Sequence, residues 1–236
     1  MSKREDIIDP HEWTNTTTYG LVYSEVLGWI DIGHAQGTDI AALLADFRRG
    51  EASNNTYYRI TYTQKMYILG RVFGTGKFIR WDIKRGRSAK EIHSIALAMM
   101  MHTARMFEDY QSQWYFNWYS DSGFSGEDLT SDLLGFYRII TGDYLKSQLR
   151  LVSKENALKR WDYYGPIGNY KNKGFQPLLF NDPTNPCVKH APYNGHLPSF
   201  MRRVSPYTDY KSDNVRIVAG DGTYLSFYSP KRSASE

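Results

Sequence analysis

Cysteine is all but missing from this 236-residue chain: Cys187 stands alone, so neither an intrachain disulfide nor a multi-thiolate metal site can form. Long apolar runs are missing as well, and no stretch approaches the roughly 18 apolar residues that a membrane span requires. The N-terminus, Met1-Ser-Lys-Arg-Glu-Asp-Ile-Ile-Asp-Pro10, has the charges of a signal peptide without the apolar segment that should follow them. The expectation is a protein made in the cytoplasm that does not use the general signal-peptide route; export by a specialised machine stays open. Charge of one sign is also scarce. The net charge is +4, from 29 basic and 25 acidic residues. Its small clusters at Lys84 to Arg87 and Arg202 to Arg203 do not mark a nucleic-acid partner. Internal repeats are absent.

What is present is enough apolar material, 41% of residues, to bury a sizeable core, which excludes global disorder. Aromatic residues are abundant, and 19 of them are tyrosines. Tyrosine joins an apolar body to a polar tip, so such a chain lines a groove or wet interface, or simply presents a β-rich surface.

The pattern of elements predicts an α+β fold, with buried central helices packed on a small antiparallel sheet or partial barrel. Residues 1–18 read as an irregular arm, residues 19–230 as a single domain and residues 231–236 as a disordered tail. Leu21 to Ile32 reads as extended. Thr38 caps a helix with Ile40, Leu43, Leu44 and Phe47 on one side, stopped at Gly50. Tyr57 to Met66 and Val72 to Ile83 read as strands, with Phe73-Gly-Thr-Gly-Lys77 as a turn. Ser88 to about Trp114 is a largely buried helix. A helix capped at Ser125 carries Leu129, Leu133, Phe136, Tyr137 and Ile140, and another covers about Asp143 to Trp161. Residues 165–212 form a long irregular wrapping segment, before a hairpin at Val215 to Ala219 and Thr223 to Tyr228.

Two segments hold the chemistry. Gly28-Trp-Ile-Asp31-Ile-Gly33-His34-Ala-Gln-Gly37-Thr38-Asp39 places a histidine between a strand and a helix, with glycines on both sides. Such a junction holds a general base firmly, and Asp31 or Asp39 would orient the imidazole. The bland alternative is a histidine closing a turn. Ser120-Asp121-Ser122-Gly123-Phe124-Ser125-Gly126-Glu127-Asp128 places Ser125 where a helix N-terminus could activate a nucleophile or stabilise an oxyanion. Ser125-x-x-Asp128 is equally a capping box. His102 sits on an apolar helix side between Met99 and Met106, expected partly or wholly buried and supporting the site from the core. His93 lies on the opposite side of that helix, so the two cannot share one metal. Cys187, with His190 three residues on, lies among prolines in an irregular loop.

Gly-Trp-Ile-Asp31-Ile-Gly-His34, paired with Phe124-Ser125-Gly-Glu127-Asp128-Leu-Thr-Ser131-Asp-Leu-Leu-Gly135 after a helix carrying His102, resembles an uncharacterised family of bacterial envelope-associated proteins over about residues 20–145. Members of that family usually carry an export or lipoprotein signal. Its lack here implies another delivery route, such as a type VI secretion effector acting on a competitor's cell wall in the periplasm, with secretion machinery and a cognate immunity protein as partners. The order of parts is similar to circularly permuted papain-like hydrolases of the NlpC/P60 group, in which a histidine precedes a nucleophile opening a later helix. His34 and Ser125 take those places, although that group uses cysteine at the second.

The resulting expectation is a hydrolase of amide or ester bonds in peptidoglycan. His34 is the base, Ser125 the nucleophile or transition-state donor, and Asp31, Asp39 or Asp128 the orienting acid. Trp114, Tyr115, Trp118, Tyr119 and Asp121 line the substrate groove. No cofactor is called for. The competing readings are a non-catalytic glycan- or protein-binding module and a metal-dependent hydrolase.

Overall fold

The computed structural model describes residues 2–68, 73–111, 126–172 and 174–227. The fold is α+β, with two small sheets instead of one. The chain divides into two compact units, Met1–Ala42 with Gln111–Ser205, and Leu43–Tyr110 with Pro206–Glu236. Among the described residues, no helix is long and apolar enough to cross a membrane.

In the first unit, the segment expected to be extended from Leu21 to Ile32 is a hairpin of β1 (Leu21–Ser24) and β2 (Gly28–Asp31). The reversal comes from Ser24, whose hydroxyl accepts the N–H groups of Val26 and Leu27. A serine that bonds the backbone two and three residues on makes its own turn. β2 then runs parallel to a short strand at Leu178–Leu179, itself paired antiparallel with Tyr193–Asn194. Only glycine suits position 28, because φ is +78° and a Cβ would lie 2.0 Å from the Leu178 carbonyl oxygen.

The hairpin buries Tyr23 and Trp29 with Ile7, Leu21, Trp161, Ile167 and Phe180. Tyr23 and Trp29 meet edge to face at 5.2 Å, and the Tyr23 hydroxyl both donates to and accepts from the backbone of Phe180. The N-terminal arm is irregular apart from turns at Arg4–Asp6 and Pro10–Glu12, yet it is anchored: Ile7 is fully buried and bridges to Leu21.

The helix expected over Asp143 to Trp161 is interrupted. A 3-10 segment spans Asp143–Gln148, Arg150 takes φ +47°, and Leu151 bridges to Ser24. A regular helix resumes at Lys154–Tyr164, started by Ser153 accepting the Asn156 N–H. Sheet pairing by Leu151 therefore wins over helix propensity.

The helix that matters most spans Asp128–Thr141; α1 (Thr38–Glu51) and α2 (Ala89–Gln111) precede it, so it is α3. It buries Leu129, Leu133, Phe136 and Tyr137, the stripe expected from sequence. It docks on the 3-10 turn His34–Gln36, which Gly37 ends with φ +64°. A Cβ on Gly135 would lie 2.8 Å from the His34 carbonyl oxygen, and one on Gly37 would lie 2.5 Å from that of Gly135.

The second unit holds the C-terminal part of α1, α2 and the three-stranded antiparallel sheet β3 (Tyr57–Ile68), β4 (Phe73–Lys84) and Val215–Phe227. Tyr58, Ile60, Tyr62, Ile79, Trp81 and Ile83 are buried, while Arg59 and Thr61 are exposed, the alternation of a one-sided sheet. Gly74 to Lys77 belong to strand β4, not to a turn. The C-terminal hairpin expected around Gly220-Asp-Gly222 is one continuous strand. Its extra residues are absorbed where the β4 register shifts between Phe78 and Trp81. Ser88 and Glu91 exchange bonds as a capping box at the start of α2, as the sequence implied.

Replacing Gly135 with alanine should destabilise the chain by about 1–3 kcal/mol, because two backbones must move apart. Gly86→Ala, where φ is +94° but nothing lies within 4 Å, should cost only the conformational strain, about 1 kcal/mol. Denaturant titrations of the two variants against the parent check the order.

Candidate active site

The centre lies wholly in the first unit, where the end of β2, the turn after it and the first turns of α3 meet. Asp31 closes the strand. Its N–H donates to the Oγ of fully buried Ser131 at 3.0 Å, pinning β2 to α3. Its carboxylate Oδ1 accepts the N–H groups of Gly33 at 2.7 Å and His34 at 3.2 Å, which folds the turn back. Asp31 therefore positions the backbone under the histidine. The turn is further held by the Gln36 side chain donating to the Thr17 carbonyl at 2.8 Å.

The imidazole is oriented by Asp132. The Nδ1–H of His34 donates to Asp132 Oδ1 at 2.8 Å, while Nε2 stands 3.9 Å from Asp128 Oδ1, too far for a hydrogen bond. Asp128 and Asp132 are four residues apart on α3, and that spacing stacks both carboxylates on one face. They are largely covered, 21% and 14% exposed, whereas the His34 side chain is 44% exposed. The fixed nitrogen thus faces protein and the other is accessible.

Desolvation is the largest influence on the His34 pKa and lowers it. The charge and hydrogen bond of Asp132, with the charges of Asp128 and Asp31, outweigh it and hold the pKa well above the usual value of 6.5. With 44% of the side chain accessible, crowding by the chain does not seal the ring from a reacting group. Among the described residues, no group of three or more His, Cys, Asp or Glu side chains is arranged to hold a metal ion.

Of the residues singled out from sequence, Asp31, His34 and Asp128 come together here. Asp39 stands exposed in the first turn of α1, and the carboxylates ranged around the ring are those of Asp132, Asp128 and Asp31. Ser125, Trp114, Tyr115, Trp118, Tyr119 and Asp121 lie outside the described residues. α3 begins at Asp128, and Glu127 occupies the cap position expected for Ser125.

His102 belongs to the second unit and is exposed, not buried, with Nε2 2.9 Å from the Gly220 carbonyl to which it donates. The buried face of α2 runs through Ala96, Met99, Met100, Thr103 and Phe107, and His102 falls at its edge. Cys187 is exposed, and the ring nitrogens of His190 face the Asn185 carbonyl and the Tyr163 hydroxyl. The orienting acid, Asp132, was missed from sequence, although the Asp128-x-x-x-Asp132 spacing on an amphipathic helix was there to read.

Comparisons with protein-family models, with curated proteins and with solved structures found no match to this chain.

A histidine whose pKa is raised by folding stabilises the fold fully below its unfolded value, near 6.5, and loses that contribution as pH rises through the folded value. The stability advantage of the parent over His34→Gln should therefore shrink as pH is raised above 6.5. Asp132→Asn should lower the His34 pKa in an NMR titration. Denaturant midpoints that differ by the same amount at every pH would contradict the assignment.

Proposed function

We propose that the first unit is a hydrolase of amide or ester bonds with His34 as its general base. The observation that carries this reading is the His34–Asp132 pair: Nδ1 is committed to a covered carboxylate, so Nε2 is the working nitrogen and is accessible. The order of parts, a histidine at a strand end followed by the start of a later helix, supports a likeness to permuted papain-like hydrolases of the NlpC/P60 group. On that reading Ser125, three residues ahead of α3, is the nucleophile, and the aromatics from Trp114 to Tyr119 with Asp121 receive the substrate.

The chemistry follows from the proton inventory. With its pKa raised, His34 is an imidazolium at lower pH and must lose that proton before it can act. The neutral Nε2 then takes the proton of the attacking hydroxyl as the new C–O bond forms. The resulting imidazolium, stabilised by Asp132, returns the proton to the leaving amine or alcohol. Asp128, 3.9 Å from Nε2, adds to that stabilisation. The resemblance to envelope-associated proteins supports peptidoglycan as the substrate, reached by specialised secretion into a competitor's periplasm, with an immunity protein in the producing cell.

Expression in a bacterial host behind an added periplasmic signal should lyse the host, and mass spectrometry should find new products on isolated cell wall. His34→Ala should lower turnover about 10²–10⁴-fold, the usual range for losing a positioned base. Turnover by the parent should rise with pH through the His34 pKa, above 6.5, and Asp132→Asn should move that rise to lower pH. A fully active, folded His34→Ala protein would overturn the reading. Saturable cell-wall binding without products, retained in that variant, would point instead to a binding module.

A further inference from the structure

On the same face of the first unit, α3 reaches a second polar feature. Trp13, Thr14, Asn15, Arg138, Lys146 and Leu149 enclose a hollow of about 40 Å³. The lining holds two cations and no acid. Trp13 is 4% exposed, and both cations lie against its ring, the Arg138 guanidinium 5.3 Å and the Lys146 ammonium 5.8 Å from the centroid. Arg138 donates to the Ala35 carbonyl at 2.8 Å, and Lys146 to the carbonyl of Trp13. A guanidinium carries five N–H donors and an ammonium three, more than these backbone contacts consume. The two positive charges are thus fixed in place around a space with room for about three water-sized spheres. That is the size of a carboxylate, which has three heavy atoms, and is small for a phosphate, which has five.

The hollow is tied to the catalytic turn. Arg138 bonds the residue next to His34, and it lies six residues beyond Asp132 on α3, about 9 Å along the helix axis. An extended peptide covers that distance with two or three residues.

We propose that Trp13, Arg138 and Lys146 form a carboxylate subsite for a peptide substrate whose free C-terminal carboxylate lies two or three residues beyond the bond cut at His34. The placement of the cut rests on the hydrolase reading; the subsite itself does not.

Calorimetric titration of the full-length His34→Ala chain with N-acetyl-Ala-Ala-Ala and with its C-terminal amide separates the two. The acid should bind at least 10-fold more tightly than the amide. Lys146→Met should remove that preference, and Lys146→Arg should restore it, with thermal unfolding confirming that each variant is folded. Inorganic phosphate alone should bind more weakly than the acid. Equal binding of acid and amide would overturn the proposal, and that comparison needs no variant at Lys146. A preference retained in folded Lys146→Met, or phosphate binding with the same Lys146 dependence in place of the acid, would overturn it too. Acid-selective binding in a chain whose His34-containing parent shows no turnover would remove the hydrolase reading and leave the subsite standing.

Discussion

Two backbones that touch at glycine, Gly37 at the end of the His34 turn and Gly135 in the second half of α3, set the distance on which the site depends. Side chains at either position would hold the helix away from the turn. The separation that α3 adopts lets the Ser131 hydroxyl reach the Asp31 N–H, the Asp132 carboxylate reach His34 Nδ1, and Arg138 reach the Ala35 carbonyl. These three contacts fall on successive stretches of one helix, so α3 works as a ruler laid along the loop from strand end to helix start. Buried Leu133, Leu134 and Phe136 hold the ruler in the core, while its polar edge carries the chemistry.

The electrostatics follow from that docking. Asp128, Asp132 and Asp31 converge on one imidazole, and their combined effect exceeds the desolvation that opposes a charge there. Asp31 is spent on backbone N–H groups, so it shapes the turn more than it polarises the ring. Asp132 does the orienting, and its own low exposure is tolerable because it has a cationic partner. A base with a raised pKa is a stronger proton acceptor once deprotonated, which suits attack by a weakly acidic hydroxyl.

Elements with strong periodicity were legible in the sequence: α1 from Ile40, Leu43, Leu44 and Phe47, β3 and β4 from their alternation, and α2 from its capping box and apolar sides. What escaped was decided by contacts distant in sequence. The Ser24 turn looks like strand until Gly28 is seen against Leu178. Arg150 breaks a helical pattern because Leu151 pairs with Ser24. Gly220-Asp-Gly222 reads as a hairpin turn, but pairing with β4 keeps it extended. At the site, the glycine-flanked His34 and the acids beside it were visible, yet Asp132 was hidden as an ordinary polar position of an amphipathic helix. His102 was misjudged because a helix periodicity does not say where its buried face ends.

The central claim is that His34 and Asp132 act as one unit, and a double-mutant cycle on turnover of isolated cell wall tests it most directly. If they do, His34→Ala combined with Asp132→Ala will be no slower than His34→Ala alone, since the carboxylate has nothing left to orient. Independent losses that multiply in the double variant, or a parent chain that releases no product from cell wall, would contradict the account.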